Sequence, residues 1–268
     1  MIQDYHVHTA FSFDGKSTVD QYLLAADAMG MDRVCFTEHF NPMGPDGVTD
    51  RMLPDMDAYE AAVRTAQARL GCRCQALMGV EIGPYVPAAC AMAEEKLNGR
   101  TLDFILMGNH WNPGGKEYWI SANWQGDTKA QAQRENMLHL LSLIEAMDAF
   151  DAVAHLTYFS RGCPYPDKEI RHDDAPEETD AVLRVLVERG KGIEINTSTY
   201  RGFGFFMPGL SVLKRYRELG GEIVTLGSDS HHVSTLGSGI QEARELLRAA
   251  GFSHYTLFRE RVPQFCKL

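Results

Sequence analysis

Two periods of hydrophobic spacing alternate along the chain. Short strand-like runs fall at 2–9, 33–37, 75–80, 104–108, 152–154, 192–195 and 222–226. Between them, apolar positions three and four residues apart predict helices over 18–29, 56–70, 88–97, 129–147, 176–189, 208–219 and 240–250. Their core faces are expected to carry Tyr22, Leu23, Ala26 and Met29; then Tyr59, Ala62, Val63 and Ala66; then Met137, Leu138, Leu141 and Ile144. Ser17 or Thr18 is placed to cap the first helix and Gly30 to end it, and a last strand is expected at 255–258. Strand and helix alternate seven times with no linker or low-complexity segment. That pattern predicts parallel strands joined by right-handed crossovers, closed into a seven-stranded β/α (TIM-like) barrel, one domain over residues 1–268.

Two stretches interrupt the alternation. A Pro/Gly-rich loop is expected at 41–54, and the segment from Trp111 to Gly126 holds all three tryptophans without helical period. A long loop of that kind after a strand end is either a lid or binding wall, or an aromatic mini-core of its own.

Composition narrows the class. An apolar fraction of 44% and a charged fraction of 23% belong to an ordinary soluble globular protein. With 36 acidic against 26 basic residues, the net charge of −10 argues against a nucleic-acid backbone as main partner. The six cysteines are scattered with no Cys-x-x-Cys pair, as expected of reduced thiols. Neither a signal peptide nor a run of about 20 apolar residues is seen, so no membrane association and a cytoplasmic location are expected. Oligomeric state is open.

The chemistry lies at the strand ends. His6 and His8, one residue apart on a strand, project to the same side and make a two-toothed imidazole clamp. The following strands end in Glu38-His39, Glu81, Asn109-His110, His155, and Asp229 with His231. In a β/α barrel the C-terminal strand ends form one face. Six of the ten histidines therefore meet there with carboxylates, whereas His139, His172, His232 and His254 fall on helices or loops, where a solvated surface role is expected.

The set His6-x-His8, Thr37-Glu38-His39, Gly79-Val80-Glu81, His110, His155 and Gly227-Ser-Asp-Ser-His231 resembles the polymerase-and-histidinol-phosphatase (PHP) superfamily over essentially the whole chain. Within it, Glu194-Ile-Asn-Thr-Ser-Thr-Tyr-Arg201 followed by Leu226-Gly-Ser-Asp-Ser-His231 resembles the histidinol-phosphate phosphatase branch. The resemblance implies a distorted barrel holding two to three divalent ions (zinc, iron or manganese). It implies a first site of His6, His8, Glu81 and Asp229, a second of Glu81, His110 and His155, and a third of Asp14, His39 and His231. Asp14 stands where many members have histidine, and its alternative is a plain turn aspartate. Three divalent ions outweigh three carboxylates, so the site would draw a phosphate dianion into an acidic protein. Glu81, Asp229 and His231 are the expected catalytic residues. Glu38 is either a partner to a ligand imidazole or a salt-bridged strand-end residue.

Arg161 and Arg201, on loops at the same face, are candidates for phosphate contact, since guanidinium matches phosphate oxygens in a bidentate fork; the alternative is two surface arginines. The run Gly202-Phe203-Gly204-Phe205-Phe206 is either a wall of the leaving-group pocket or core packing. The expected activity is hydrolysis of a phosphate monoester, L-histidinol phosphate in histidine biosynthesis, releasing inorganic phosphate. The rivals are another small ester (nucleotide, sugar phosphate or phosphodiester) and a noncatalytic metal-binding module, against which the complete ligand set argues.

Overall fold

The computed structural model describes residues 2–112, 114–115 and 117–268. Seven strands form one parallel sheet: β1 (Gln3–Val7), β2 (Arg33–His39), β5 (Gln75–Ile82), β6 (Phe104–Met107), β7 (Ala152–Val153), β8 (Gly192–Asn196) and β9 (Val224–Gly227), hydrogen-bonded in that order. Their near-continuous buried runs are those of parallel strands covered on both faces. The ring is drawn together where Val7 bridges Ser230 in parallel, with His8 N–H donating to Ser230 O at 2.8 Å and Ser230 N–H to His6 O at 3.3 Å. A bulge between Asp4 and Val7 re-aims the end of β1. The expected seven-stranded barrel is present and nearly closed.

Helices α1 (Val19–Ala28), α2 (Met56–Leu70), α3 (Pro87–Leu97), α4 (Lys129–Glu145), α5 (Pro176–Glu188), α6 (Tyr200–Phe203), α7 (Leu210–Glu218) and α8 (Ile240–Ala249) surround it. Thr18 caps α1 through a capping box with Gln21, one of the two caps expected. The core stripes differ from expectation by one position: α4 buries Met137, Leu140 and Ile144 while Leu138 is exposed, and α1 leaves Met29 exposed. Leu138 is one residue, about 100°, away from the stripe set by its neighbours. No helix among the described residues is long and apolar enough to cross a membrane. All six cysteines are free thiols.

Two hairpins were not expected. The 41–54 segment folds into antiparallel β3 (Asn41–Met43) and β4 (Thr49–Met52), turned at Gly44–Gly47. At the other end of the barrel, β10 (His254–Arg259) is paired by β11 (Val262–Lys267). This second hairpin covers the strand starts. Phe258 stacks on Phe104 at 5.0 Å, and Arg261 grips Asp151, just before β7, with Nη2 at 2.9 Å and Nε at 3.1 Å from Oδ1. In the Trp111–Gly126 segment both readings hold. Trp124 is fully buried and donates to Tyr118 O at 2.9 Å, whereas Trp111 and Trp119 face a cavity at the opposite, C-terminal end; Pro113 and Lys116 lie outside the described residues.

Arg261→Ala would leave the Asp151 carboxylate, among the described residues, with only the Ile105 N–H as hydrogen-bond donor. Because hydrogen bonds to charged groups are worth about 1.5–3 kcal/mol, a loss of that order in unfolding free energy is expected by denaturant titration, with the C-terminal end of the barrel unchanged.

Candidate metal centre

At the C-terminal end of the barrel the strand-end residues converge on Glu81. Its Oε1 lies 2.6 Å from His155 Nε2 and 3.2 Å from His110 Nε2. Its Oε2 lies 3.5 Å from His6 Nε2 and 3.6 Å from His8 Nε2, and Asp229 Oδ1 stands 3.7 and 3.6 Å from the same two nitrogens. The two imidazole nitrogens are themselves 3.0 Å apart. Room for the carboxylate comes from Gly108, where a Cβ would fall 2.6 Å from Glu81 Oε1.

Hydrogen bonding fixes which nitrogen faces the centre. Glu194 can only accept, so His6 Nδ1–H donates to its Oε1 (2.7 Å) and the Nε2 lone pair points inward. Ser12 Oγ donates to Glu38 Oε2 at 2.6 Å and therefore accepts from His8 Nδ1–H at 3.2 Å, which turns the His8 Nε2 lone pair inward too. Glu38 thus reaches His8 through Ser12, as a partner to an imidazole rather than in a salt bridge. Glu81 Oε2 also lies 3.0 Å from His39 Nδ1, without the alignment of a hydrogen bond. Four ligand atoms about a tetrahedral first-row ion at 2.0–2.1 Å lie roughly 3.3 Å from one another. The His6–His8 separation and those from these two imidazoles to Glu81 and to Asp229, from 3.0 to 3.7 Å, bracket that edge. The donor set fits a divalent ion at this point, and Glu81 Oε1 with His110 and His155 offers a second.

A third group is looser. Asp14 Oδ1 is 3.5 Å from His39 Nε2, and its Oδ2 is 3.2 Å from His231 Nε2. The His8, His39 and His231 rings stack at 4.1 and 4.3 Å. Asp14 is therefore part of the cluster, not a free turn residue. All nine expected ligands lie in one site.

Burial opposes every charge here, and the partners decide the outcome. For His6 the carboxylates of Glu194, Glu81 and Asp229 outweigh burial and raise its pKa well above the usual imidazole value. For His8 burial and the neighbouring histidines push it well below. Burial disfavours the His39 imidazolium, yet Asp14 and Glu81 bring its pKa up to about 10. Burial alone would raise Glu81 and Asp229, but the surrounding imidazoles hold both well below the ordinary carboxylate range. Such opposed shifts in a cleft are the electrostatic mark of a functional site.

Two of the six described non-glycine residues with positive φ fall at the same place: His155 at +28° and Asp229 at +55°. Each is pinned by a buried carboxylate. Glu194 Oε2 accepts the His155 N–H at 3.0 Å. Asp4 accepts Ser228 N–H and Gly237 N–H, both at 2.9 Å, and the Ser228 hydroxyl. Gly227 permits this packing, since a Cβ there would lie 2.2 Å from Glu194 Oε1 and 2.3 Å from His6 Cβ.

The centre opens into a cavity of about 930 Å³. Arg161 and Arg201 both line it. The Arg161 guanidinium lies over the Tyr158 ring at 5.2 Å, and Arg201 Nη1 donates to Ser228 O at 2.9 Å. Phe203 reaches the cavity, while Phe205 and Phe206 are buried, so the aromatic run is shared between wall and core. His139 corrects the expectation of a solvated histidine: it is buried, its nitrogens 3.1 and 2.9 Å from the carbonyls of Trp111 and Tyr85, on the loops after β6 and β5.

A family model described as PHP domain matches residues 4–198. The chain belongs to the PHP domain family. It is 28% identical over 255 residues to the histidinol-phosphatase of Lactococcus lactis subsp. lactis (strain IL1403), covering 95% of this chain and 93% of that one. A crystal structure of histidinol phosphate phosphatase from L. lactis subsp. lactis Il1403, complexed with zinc, L-histidinol and phosphate, superposes with a TM-score of 0.86 at 27% identity, covering 98% of both chains.

The sequence assigned no role to three residues of this PHP domain, Asp4, Ser12 and Glu194, the last named only as part of the branch-resembling segment. A carboxylate alternating with Ile193 and Ile195 inside a buried strand was a legible signal for Glu194. Asp4 and Ser12 carried none, because their partners lie on distant segments. Glu194→Gln keeps the shape but weakens the acceptor that sets the His6 tautomer. Affinity for added zinc, measured by chelator competition, should fall about 10–100-fold while the thermal transition of the metal-free protein stays cooperative.

Proposed function

We propose that this PHP-domain protein is a metal-dependent phosphomonoesterase that hydrolyses L-histidinol phosphate to L-histidinol and inorganic phosphate. The observation that carries the reading is the meeting, in one cavity, of the Glu81-centred donor cluster with two guanidinium groups. The names of the relatives point the same way and supply the substrate and zinc.

His6, His8, Glu81 and Asp229 would hold one ion, Glu81, His110 and His155 a second, and Asp14, His39 and His231 a third. When bound, such ions supply Lewis acidity toward phosphoryl oxygens and a water made nucleophilic at neutral pH. The remaining work belongs to the chain. Glu194 and the Glu38–Ser12 pair keep His6 and His8 in the tautomer that offers Nε2. Arg161, steadied over Tyr158, and Arg201, anchored on Ser228, hold the non-bridging oxygens and orient the ester for in-line attack. Cationic groups confined to this cavity draw a phosphate dianion to a protein whose net charge is −10.

Purified protein is expected to carry two to three equivalents of zinc, iron or manganese by elemental analysis, and exhaustive chelation should abolish turnover. Arg161→Ala and Arg201→Ala should each lower kcat/KM on L-histidinol phosphate about ten- to a hundred-fold and weaken inhibition by inorganic phosphate, with metal content unchanged. Lysine at either position should restore little, since an ammonium lacks the guanidinium fork. Higher kcat/KM on a nucleotide or sugar phosphate in a parallel panel would reassign the substrate within the same chemistry.

A further inference from the structure

The unexpected β3/β4 hairpin gives the cavity two side chains outside the histidine–carboxylate cluster. Asn41 and Met52 are direct cross-strand partners, and both line the cavity. Asn41 is only 3% exposed. Its Oδ1 accepts the Gly83 N–H at 2.6 Å, which fixes the amide orientation, because the reverse would set donor against donor. The Asn41 NH2 makes no hydrogen bond to the described residues and is not enclosed by them, so it is presented to the cavity. Gly83 brings this amide close to the cluster without joining it: a Cβ there would lie 2.6 Å from Asn41 Oδ1 and 2.7 Å from His110 Nδ1.

Position around the barrel says what this wall faces. Asn41 follows β2, whereas Arg161 and Arg201 follow β7 and β8. Going round the seven strands, β7 is three steps from β2 in one direction and β8 three steps in the other. No two strands of a seven-membered ring are further apart. An ester whose phosphoryl group is held at the β7–β8 side extends its alcohol half across the cavity toward β2.

We propose that the β3/β4 hairpin recognises the alcohol half of the substrate, with Asn41 Nδ2 donating to an acceptor on the leaving group and Met52 packing on its apolar part. This rests on the reading of the chain as a histidinol-phosphate phosphatase. The neutral imidazole of L-histidinol offers one acceptor nitrogen to such a donor. A fixed donor also discriminates, since an ester without an acceptor leaves it unpaired.

The test compares wild type, Asn41→Ala and Asn41→Asp on L-histidinol phosphate and on phenyl phosphate, which carries no acceptor in its alcohol half. Inhibition by L-histidinol and by inorganic phosphate is measured on the same samples. Asn41→Asp keeps the acceptor for Gly83 N–H, removes the donor and adds a negative charge, whereas Asn41→Ala removes the donor without adding charge. Both variants should raise KM for L-histidinol phosphate, and weaken inhibition by L-histidinol, about ten-fold. Their kcat/KM on phenyl phosphate and their inhibition by phosphate should stay at wild-type values. An Asp variant indistinguishable from wild type would overturn the proposal. So would equal losses on both esters and on phosphate inhibition, which would mark Asn41 as scaffold alone. Wild type active on phenyl phosphate but inert on L-histidinol phosphate would overturn the substrate reading, and this proposal with it.

Discussion

The site depends on one buried carboxylate shared between two sets of imidazole nitrogens. Glu81 Oε1 faces His110 and His155, and its Oε2 faces His6 and His8. With the imidazoles neutral, lone pairs converging at 3.0–3.7 Å gain nothing from one another, and a buried carboxylate oxygen without a cationic partner is costly. The arrangement makes physical sense when cations lie among these atoms. It persists because the surrounding chain leaves the side chains nowhere else to go.

That constraint comes from an outer ring of acidic residues. Glu194, Asp4 and Glu38 are each buried, and each accepts hydrogen bonds from groups that position a centre residue: the His6 ring and the His155 N–H, the Ser228 turn ahead of Asp229, and Ser12 beneath His8. The strained backbone at His155 and Asp229 is held by the first two. A neutral outer ring could set the same distances, but a carboxylate only accepts, so it also dictates the tautomer of the imidazole facing it.

The two ends of the barrel divide the work. The β10–β11 hairpin seals the strand starts with Phe258 and the Arg261–Asp151 pair, so stability there rests on packing and one well-formed ion pair. The strand ends carry crowded donors and a cavity of about 930 Å³, whose walls come largely from loops. The wall by β2 meets the leaving group in the proposed chemistry, and the wall by β7 and β8 meets the phosphate.

Alternating periodicity determined the barrel, because a βα repeat with fully apolar strands buries both faces in few other ways. The phase of the motifs also determined the site: His6, His8, His39, Glu81, His110, His155, Asp229 and His231 sit at strand ends, and Asp14 just after the first of them, which the fold gathers at one face. What periodicity could not carry, tertiary structure decided. The hairpin of Asn41 and Met52 has no amphipathic pattern, and its place at the cavity's edge comes from the folded chain. Leu138 lies outside the α4 stripe because its neighbours, not its own hydropathy, set which face packs inward. Asp4, Ser12 and Glu194 gained their roles only when β1, β2, β8 and the Ser228 turn came within hydrogen-bond reach. Local sequence specifies which way a side chain points along its own strand, but the identity of what it meets belongs to the closed barrel.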